Sequence, residues 1–223
     1  MNRLLYTVFA FITLFFGCKK SNNESVNYYY NYFPLELDAW IEYDVLDIMH
    51  DESGSSDTSV YQLKEITTEE FIDNEGRLTY RVERYRRDDV NANWSIKDVW
   101  YSNKTKTTAE KVEENVRFTK LIFPINTSKY WNGNAFNNLE EWEYSYDSLH
   151  KPKLINNLSF DSTITVIQRD NQNVVEYEKV KEIFAIDIGL IYKSHIDLDI
   201  NLSNILDINS GRELEMTITA YGK

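Results

Sequence analysis

Polar and apolar residues alternate one for one over long stretches of this chain. In residues 77–86, Leu78, Tyr80 and Val82 fall on one side and Arg77, Thr79, Arg81 and Glu83 on the other. That two-residue period belongs to a strand with one buried face in an antiparallel sheet. Residues 141–146 repeat it, with Trp142, Tyr144 and Tyr146 set against Glu141, Glu143 and Ser145, and residues 162–169 alternate again. Further strand-like runs rich in β-branched and aromatic residues cover 40–49, 60–67, 94–101, 190–200 and 213–221. Residues 107–113 and 116–123 read as a hairpin around Glu114-Asn115, stopped by Pro124. Turn composition separates these runs at 51–59, 74–76, 88–93 and 207–211. Residues 126–138, NTSKYWNGNAFNN, read as a loop in which Asn132-Gly133 is a dipeptide that accepts positive φ. Residues 176–184 fit either a short helix, with Tyr177, Val180, Lys181 and Phe184 on one face, or a long strand, with Gly189 marking a bulge or bend beyond it.

The pattern predicts an all-β protein of about ten antiparallel strands in a single lipocalin-like barrel, half-barrel or sandwich. Strands follow one another without regular intervening helices, which argues against βαβ units. No repeat and no Pro/Gly-rich linker divides residues 34–223, so one β domain is expected there. The 223 residues suffice for a core without covalent staples.

The N-terminus breaks the pattern. Arg3 is followed by an apolar run, residues 4–16, of about 13 residues. That is too short to cross the ~30 Å hydrocarbon core of a bilayer comfortably as a helix. The run ends in Leu14-Phe15-Phe16-Gly17-Cys18, and Cys18 is the sole cysteine. This segment resembles a bacterial lipoprotein signal peptide of the signal peptidase II type, with Phe15 and Phe16 where Leu and a small residue are usual. The resemblance implies a signal peptide over 1–17, acylation of Cys18, and a membrane anchor of two or three acyl chains, each buried CH₂ contributing about 0.8 kcal/mol. Residues 18–33 then form the lipidated cysteine and a tether, with Tyr28-Tyr29-Tyr30 and Tyr32-Phe33 as a first strand or docking segment. Lys19 and Lys20 stand where surface-exported Bacteroidetes lipoproteins often carry an acidic run. The expected location is therefore the cell envelope, on an outer membrane and facing the periplasm, with surface display as the alternative.

A second resemblance covers most of the domain. YFPLELDAWIEYDV (32–45), YWNG (130–133) and FAIDIGLIYK (184–193) are similar to a group of uncharacterised Bacteroidetes envelope lipoproteins. Those open on a Tyr-x-Pro-Leu segment that passes a glycine before a tryptophan, and they close with a Gly-Ile-Gly-Leu-type strand. Asp38 and Asp187 occupy positions where that pattern favours glycine. The resemblance implies a β-rich body and transfers no activity and no functional residues.

Composition narrows the functions. Net charge is −12, and removal of residues 1–17 takes Arg3 with it and leaves −13. Such a surface repels nucleic acid and anionic lipid. One cysteine permits no internal disulfide and no thiolate metal site. There is no G-x-S-x-G, H-E-x-x-H, Gly-rich phosphate loop or C-x-x-C. The expectation is a binding or interaction protein without enzymatic activity or cofactor. Its partners would be the membrane through the lipid, and an envelope protein or a small apolar or glycan ligand. An envelope hydrolase is the remaining alternative.

Few residues stand out as chemistry. His195, Asp197 and Asp199 share one face of a strand, a donor set suited to a divalent metal. Asp47, His50, Asp51 and Glu52 crowd a strand end. Trp131, Trp142 and Tyr144 are candidates for a ligand-stacking surface, with Trp131 expected to be exposed in its Asn-rich loop. Asp147-Ser148-Leu149 and Asp161-Ser162-Thr163 are similar to the Asp-Ser/Thr sequon that Bacteroidetes use for O-glycosylation, which would modify Ser148 and Ser162.

Overall fold

The computed structural model describes residues 27–223. The expected signal peptide (1–17), Cys18 and the first part of the expected tether lie outside the described residues. A short 3-10 turn, Tyr30–Tyr32, precedes twelve strands: β1 (Trp40–His50), β2 (Ser56–Ile72), β3 (Leu78–Arg87), β4 (Ser95–Lys104), β5 (Thr108–Glu113), β6 (Val116–Ile122), β7 (Tyr130–Asn132), β8 (Glu143–Ile155), β9 (Leu158–Gln172), β10 (Glu176–Ala185), β11 (Gly189–Asn201) and β12 (Asn204–Gly222).

All twelve belong to one antiparallel sheet in the order β6-β5-β4-β3-β2-β1-β12-β11-β10-β9-β8-β7. Two six-stranded meanders are thus joined by the pairing of β1 with β12. The sheet's outer edges, β6 and β7, come back together. Thr119 N–H donates to the Gly133 carbonyl at 2.9 Å, and the Trp131 indole N–H donates to the Thr119 carbonyl at 2.9 Å. The result is a nearly closed barrel rather than a sandwich, because one curled sheet leaves no second sheet to pack against.

Sequence pattern and structure agree where one face is buried. Tyr144 and Tyr146 are buried while Glu141 and Glu143 are exposed. The stretch that fitted either helix or strand is β10, bulged between Val180 and Lys181. The Asn-rich segment read as loop contains β7, a strand of three residues and therefore below the length at which alternation is visible. The turn expected at 207–211 lies instead at Leu202-Ser203, both at positive φ, and Gly211 sits within β12 at positive φ, paired in register with His50 and Leu198. On β3 the expected alternation is followed only from Val82 on: Leu78 is exposed, and Thr79, on the opposite face, is buried. The outer face there is covered by Arg77, which pairs with Asp73 and reaches Glu110.

The segment assigned to the tether does not stay free of the body. Tyr32 is fully buried, and its hydroxyl is hydrogen-bonded to His150 Nδ1 (2.7 Å) and Ser162 Oγ (2.6 Å). Lys104 Nζ donates to the carbonyls of Tyr30 and Phe33, and Asp187 N–H donates to the Asn31 carbonyl. Residues 29–33 therefore dock across one end of the barrel, where they join the core with Phe123 and Phe184.

Two positions explain a departure noted in the sequence. Asp38 and Asp187 have φ of 64° and 61°. This left-handed region is free of strain for glycine and is tolerated by aspartate because its short polar chain bonds locally. Asp187 is held instead by a contact remote in sequence, Asn31 Nδ2 donating to its Oδ1 at 2.9 Å. At the barrel seam the constraint is steric: a Cβ on Gly133 would stand 2.2 Å from the Tyr144 ring.

Two outcomes follow in urea denaturation of the soluble chain. Gly133→Ala lowers stability by about 1–3 kcal/mol, the range for overpacking a filled site. Asp38→Gly raises it by up to about 1 kcal/mol, since the left-handed cost disappears. An unchanged midpoint for Gly133→Ala means that the seam between β6 and β7 is not closed by Tyr144.

Candidate functional site

The inward faces of the strands do not form an all-apolar core. β2 places Glu65 inward, β5 Lys111 and Glu113, β6 Lys120, β10 Glu182 and β11 Lys193, and all six line a cavity of about 350 Å³. Val82, Trp100, Phe184 and Met216 supply its apolar wall, and Tyr43 closes one side with its hydroxyl donating to the Leu190 carbonyl. The cavity opens at the end where the N-terminal segment docks, between Pro34, Leu35, Trp40 and Gly222. Its volume falls within the ~300–1,000 Å³ range of small-molecule sites.

The interior charges are paired. Glu65 accepts from Arg84 (3.0 Å) and Lys111 (2.8 Å), and Arg84 also reaches Asp98 (2.8 Å). Lys120 bridges Glu113 and Glu182 at 2.9 Å each. Lys193 stands further off, 3.9 Å from Glu113 and 3.7 Å from Glu182. Its ammonium is beyond hydrogen-bond range of both carboxylates. Glu182 is 1 % exposed, and its Oε2 has no hydrogen-bond partner among the described residues. Arg84 also lies 3.4 Å from the centroid of the Trp100 ring, and Lys111 at 4.8 Å. The tryptophan thereby covers part of the network.

This pairing sets the protonation states. Burial opposes ionisation of Glu113, but Lys120 and Lys193 outweigh it and hold the carboxyl well below the usual range. Burial likewise opposes the charge on Lys120, and Glu113 and Glu182 more than restore it. Glu65, buried beside Lys111 and Arg84, is also lowered. Glu65, Glu113 and Lys120 are therefore held in their ionised forms at neutral pH.

The residues singled out in the sequence lie elsewhere. Trp131 is buried rather than exposed: the seam hydrogen bond to Thr119 and the rings of Tyr144 and Tyr146 enclose it. Tyr144 is buried in the same cluster, so neither ring is a free stacking surface. Trp142 is half-buried and stacks on His195 with centroids 6.4 Å apart. His195, Asp197 and Asp199 share a strand face without converging. The histidine is enclosed by the Trp142 ring, and Asp199 accepts from Ser210. Among the described residues no group of three or more His, Cys, Asp or Glu is arranged to hold a metal ion. Asp47 pairs with Arg212, His50 with Glu213, and Asp51 caps the turn through Ser53 and Ser55. The hydroxyls of Ser148 and Ser162 are engaged by Thr165 and Tyr32. The cavity residues escaped the sequence reading because lysines and glutamates at alternate strand positions look like a solvated face. Only their opposition across the barrel marks them as interior.

The fold and site together define a nearly closed, antiparallel meander barrel with a charge-balanced, part-apolar cavity. No protein-family model and no curated protein matches the sequence. Among solved structures, the chain is similar to a Bacteroides fragilis protein described as a "putative exported protein with YmcC-like fold", at 9% identity and a TM-score of 0.45, covering 86% of this chain and 98% of that one.

The pH response carries a definite sign. His195 is pushed from 6.5 down to about 4, first by burial and then by Lys193 and Arg212. A histidine depressed on folding contributes stability that is complete above 6.5 and is lost as pH falls toward 4, on the order of 3 kcal/mol. Glu65 and Glu113, also depressed, contribute fully above about 4.5 and lose that contribution below it. Urea midpoints should thus decline from pH 6.5 downward. In His195→Gln the step between 6.5 and 4 shrinks to the part supplied by His150, which burial also lowers. A His195 ring-proton NMR signal titrating near 6.5 would contradict this enclosure.

Proposed function

We propose that the protein is a cell-envelope lipoprotein, anchored through acylated Cys18, whose barrel binds a small ligand and catalyses no reaction. The observation that carries the ligand reading is the open cavity of about 350 Å³. A barrel serving only as an interaction body has no need of interior space, and filling it with side chains would add packing energy. Burying three lysines and three glutamates instead costs desolvation and contributes little net stability. An interior of this kind is better matched to recognition than to support. The anchor rests on the N-terminal pattern: Arg3, the apolar run 4–16, and Gly17 before the sole cysteine. The docked segment 29–33 lies at the end of the barrel where the cavity opens.

A second reading, docking to an envelope protein, is favoured by the opposite end. His50, the last residue of β1, pairs with Gly211, so the β11–β12 turn projects beyond it. That projection carries Leu202 and Leu206, nearly fully exposed, beside exposed Val174 and Val175. Exposed apolar tips of this kind are more usual at contact surfaces than on free ones.

Two measurements test the proposal. Cys18→Ser should move the protein from the membrane pellet to the soluble fraction and remove the acyl mass from the intact chain. Retention in the pellet would leave the anchor without support. Native mass spectrometry of residues 19–223, recovered gently from envelope extract, should show a bound small mass. A bare mass that persists across preparations shifts the assignment to the docking reading, and cross-linking with and without Leu202→Ser and Leu206→Ser would then locate the partner.

A further inference from the structure

Resting on the ligand reading above, we infer that the cavity selects an uncharged amphiphile with a hydrogen-bonding head such as an amide or hydroxyl, and that Lys193 is the residue that sets this preference. Three observations converge on it. The first is charge balance. The charged side chains at the core of the cavity wall balance, Lys111, Lys120 and Lys193 against Glu65, Glu113 and Glu182; behind them Arg84 joins Glu65 to Asp98, which exposed Lys97 also meets. A ligand bringing a full charge into this space would leave one charge of the set uncompensated away from water, which is the costly state of a buried ion network. A neutral head leaves the balance intact.

The second observation is the location of unmet hydrogen-bonding capacity. Lys193 lines the cavity with its ammonium outside hydrogen-bond range of Glu113 and Glu182, so it has N–H donors to offer. Glu182 lines the same cavity and has an acceptor oxygen without a partner. A head that both accepts and donates, as an amide or a hydroxyl does, answers both. A carboxylate has no proton to give Glu182, and an ammonium has no lone pair to receive from Lys193.

The third is the rest of the wall. Val82, Trp100, Phe184 and Met216 provide an apolar surface beside the polar group, which suits a ligand with an apolar body. The mouth does not upset the preference for a neutral ligand. Glu36 and Lys223 pair with each other at 2.7 Å, and the one carboxylate there without a cationic partner, Asp187, accepts from Asn31 and disfavours an anionic ligand.

The barrel and its docking segment lie wholly within residues 27–223, so the test uses the chain from Lys19 to Lys223. Calorimetric titration at pH 7 compares octanamide, octanoate and octylammonium, which share chain length and differ in head charge. Octanamide should bind at least tenfold more tightly than either ion. Lys193→Met removes one cation at the cavity surface and leaves the interior one negative charge in excess. Octanamide affinity should then fall about tenfold and octylammonium affinity rise about tenfold, while Lys193→Arg keeps the original order. A cooperative thermal transition in both variants, at a lower midpoint in Lys193→Met because of the uncompensated carboxylate, confirms that the barrel is intact. Equal or tighter binding of octanoate or octylammonium by the unaltered chain overturns the inference and leaves the ligand reading standing. If none of the three binds, the inference falls, and the ligand reading is then decided by whether native mass spectrometry finds a bound small mass.

Discussion

The pairing of the first strand with the last holds the architecture together. β1 and β12 are joined by register pairs running from Trp40↔Gly222 to His50↔Gly211, although nearly the whole chain lies between them. Every other ladder in the sheet is a local hairpin between sequence neighbours. Local hairpins alone would give two separate six-stranded meanders, each with two open edges and an uncovered face. Once β1 meets β12 the meanders become one curved sheet, and its remaining edges arrive beside each other at the β6–β7 seam. The cost is the closure entropy of a very long loop. The return is a single interior shared by all twelve strands and only one exposed discontinuity.

That discontinuity is managed locally. β7 is three residues long, and the seam is bridged by a backbone bond and the Trp131 indole rather than by a continuous ladder. Beyond β7 the outer edge of β8 is broken by register shifts on either side of Lys151, by His150 at positive φ, and by Pro152 flanked by lysines. Bulges, proline and lysine are the usual means by which an open edge is made unattractive to another strand. Gly133 belongs to the same device, because the Tyr144 ring occupies the space its side chain would need.

Barrel closure also accounts for the interior. Strands from both meanders face one another across the cavity. Lys120 of β6 thus meets Glu182 of β10, and Lys193 of β11 approaches Glu113 of β5, although each pair is far apart in the chain. The ion network is therefore a consequence of the long-range pairing and would disperse with it. Its chemical meaning is balance: a polar interior that carries no net charge tolerates burial and favours neutral guests. The N-terminal segment finishes the same enclosure, with Tyr32 locked by His150 and Ser162 at the end of the barrel where the cavity opens.

Strand positions, most turns and the all-β class were legible from alternation, because a half-buried strand writes its two faces into every second residue. At Asp38 and Asp187 the sequence showed only a departure from a glycine-favouring pattern, and the left-handed backbone there came from the structure. The expectation of a signal peptide over residues 1–17 with acylation of Cys18 rests on local composition alone. Closure into a barrel, the burial of Trp131 and the cavity were decided by tertiary structure. Alternation records which residues share a face. It does not record whether a face bearing Lys111, Glu113, Lys120 and Glu182 looks outward to water or inward to oppositely charged partners on distant strands. That choice depends on contacts between residues remote in sequence, and those exist only after β1 has found β12.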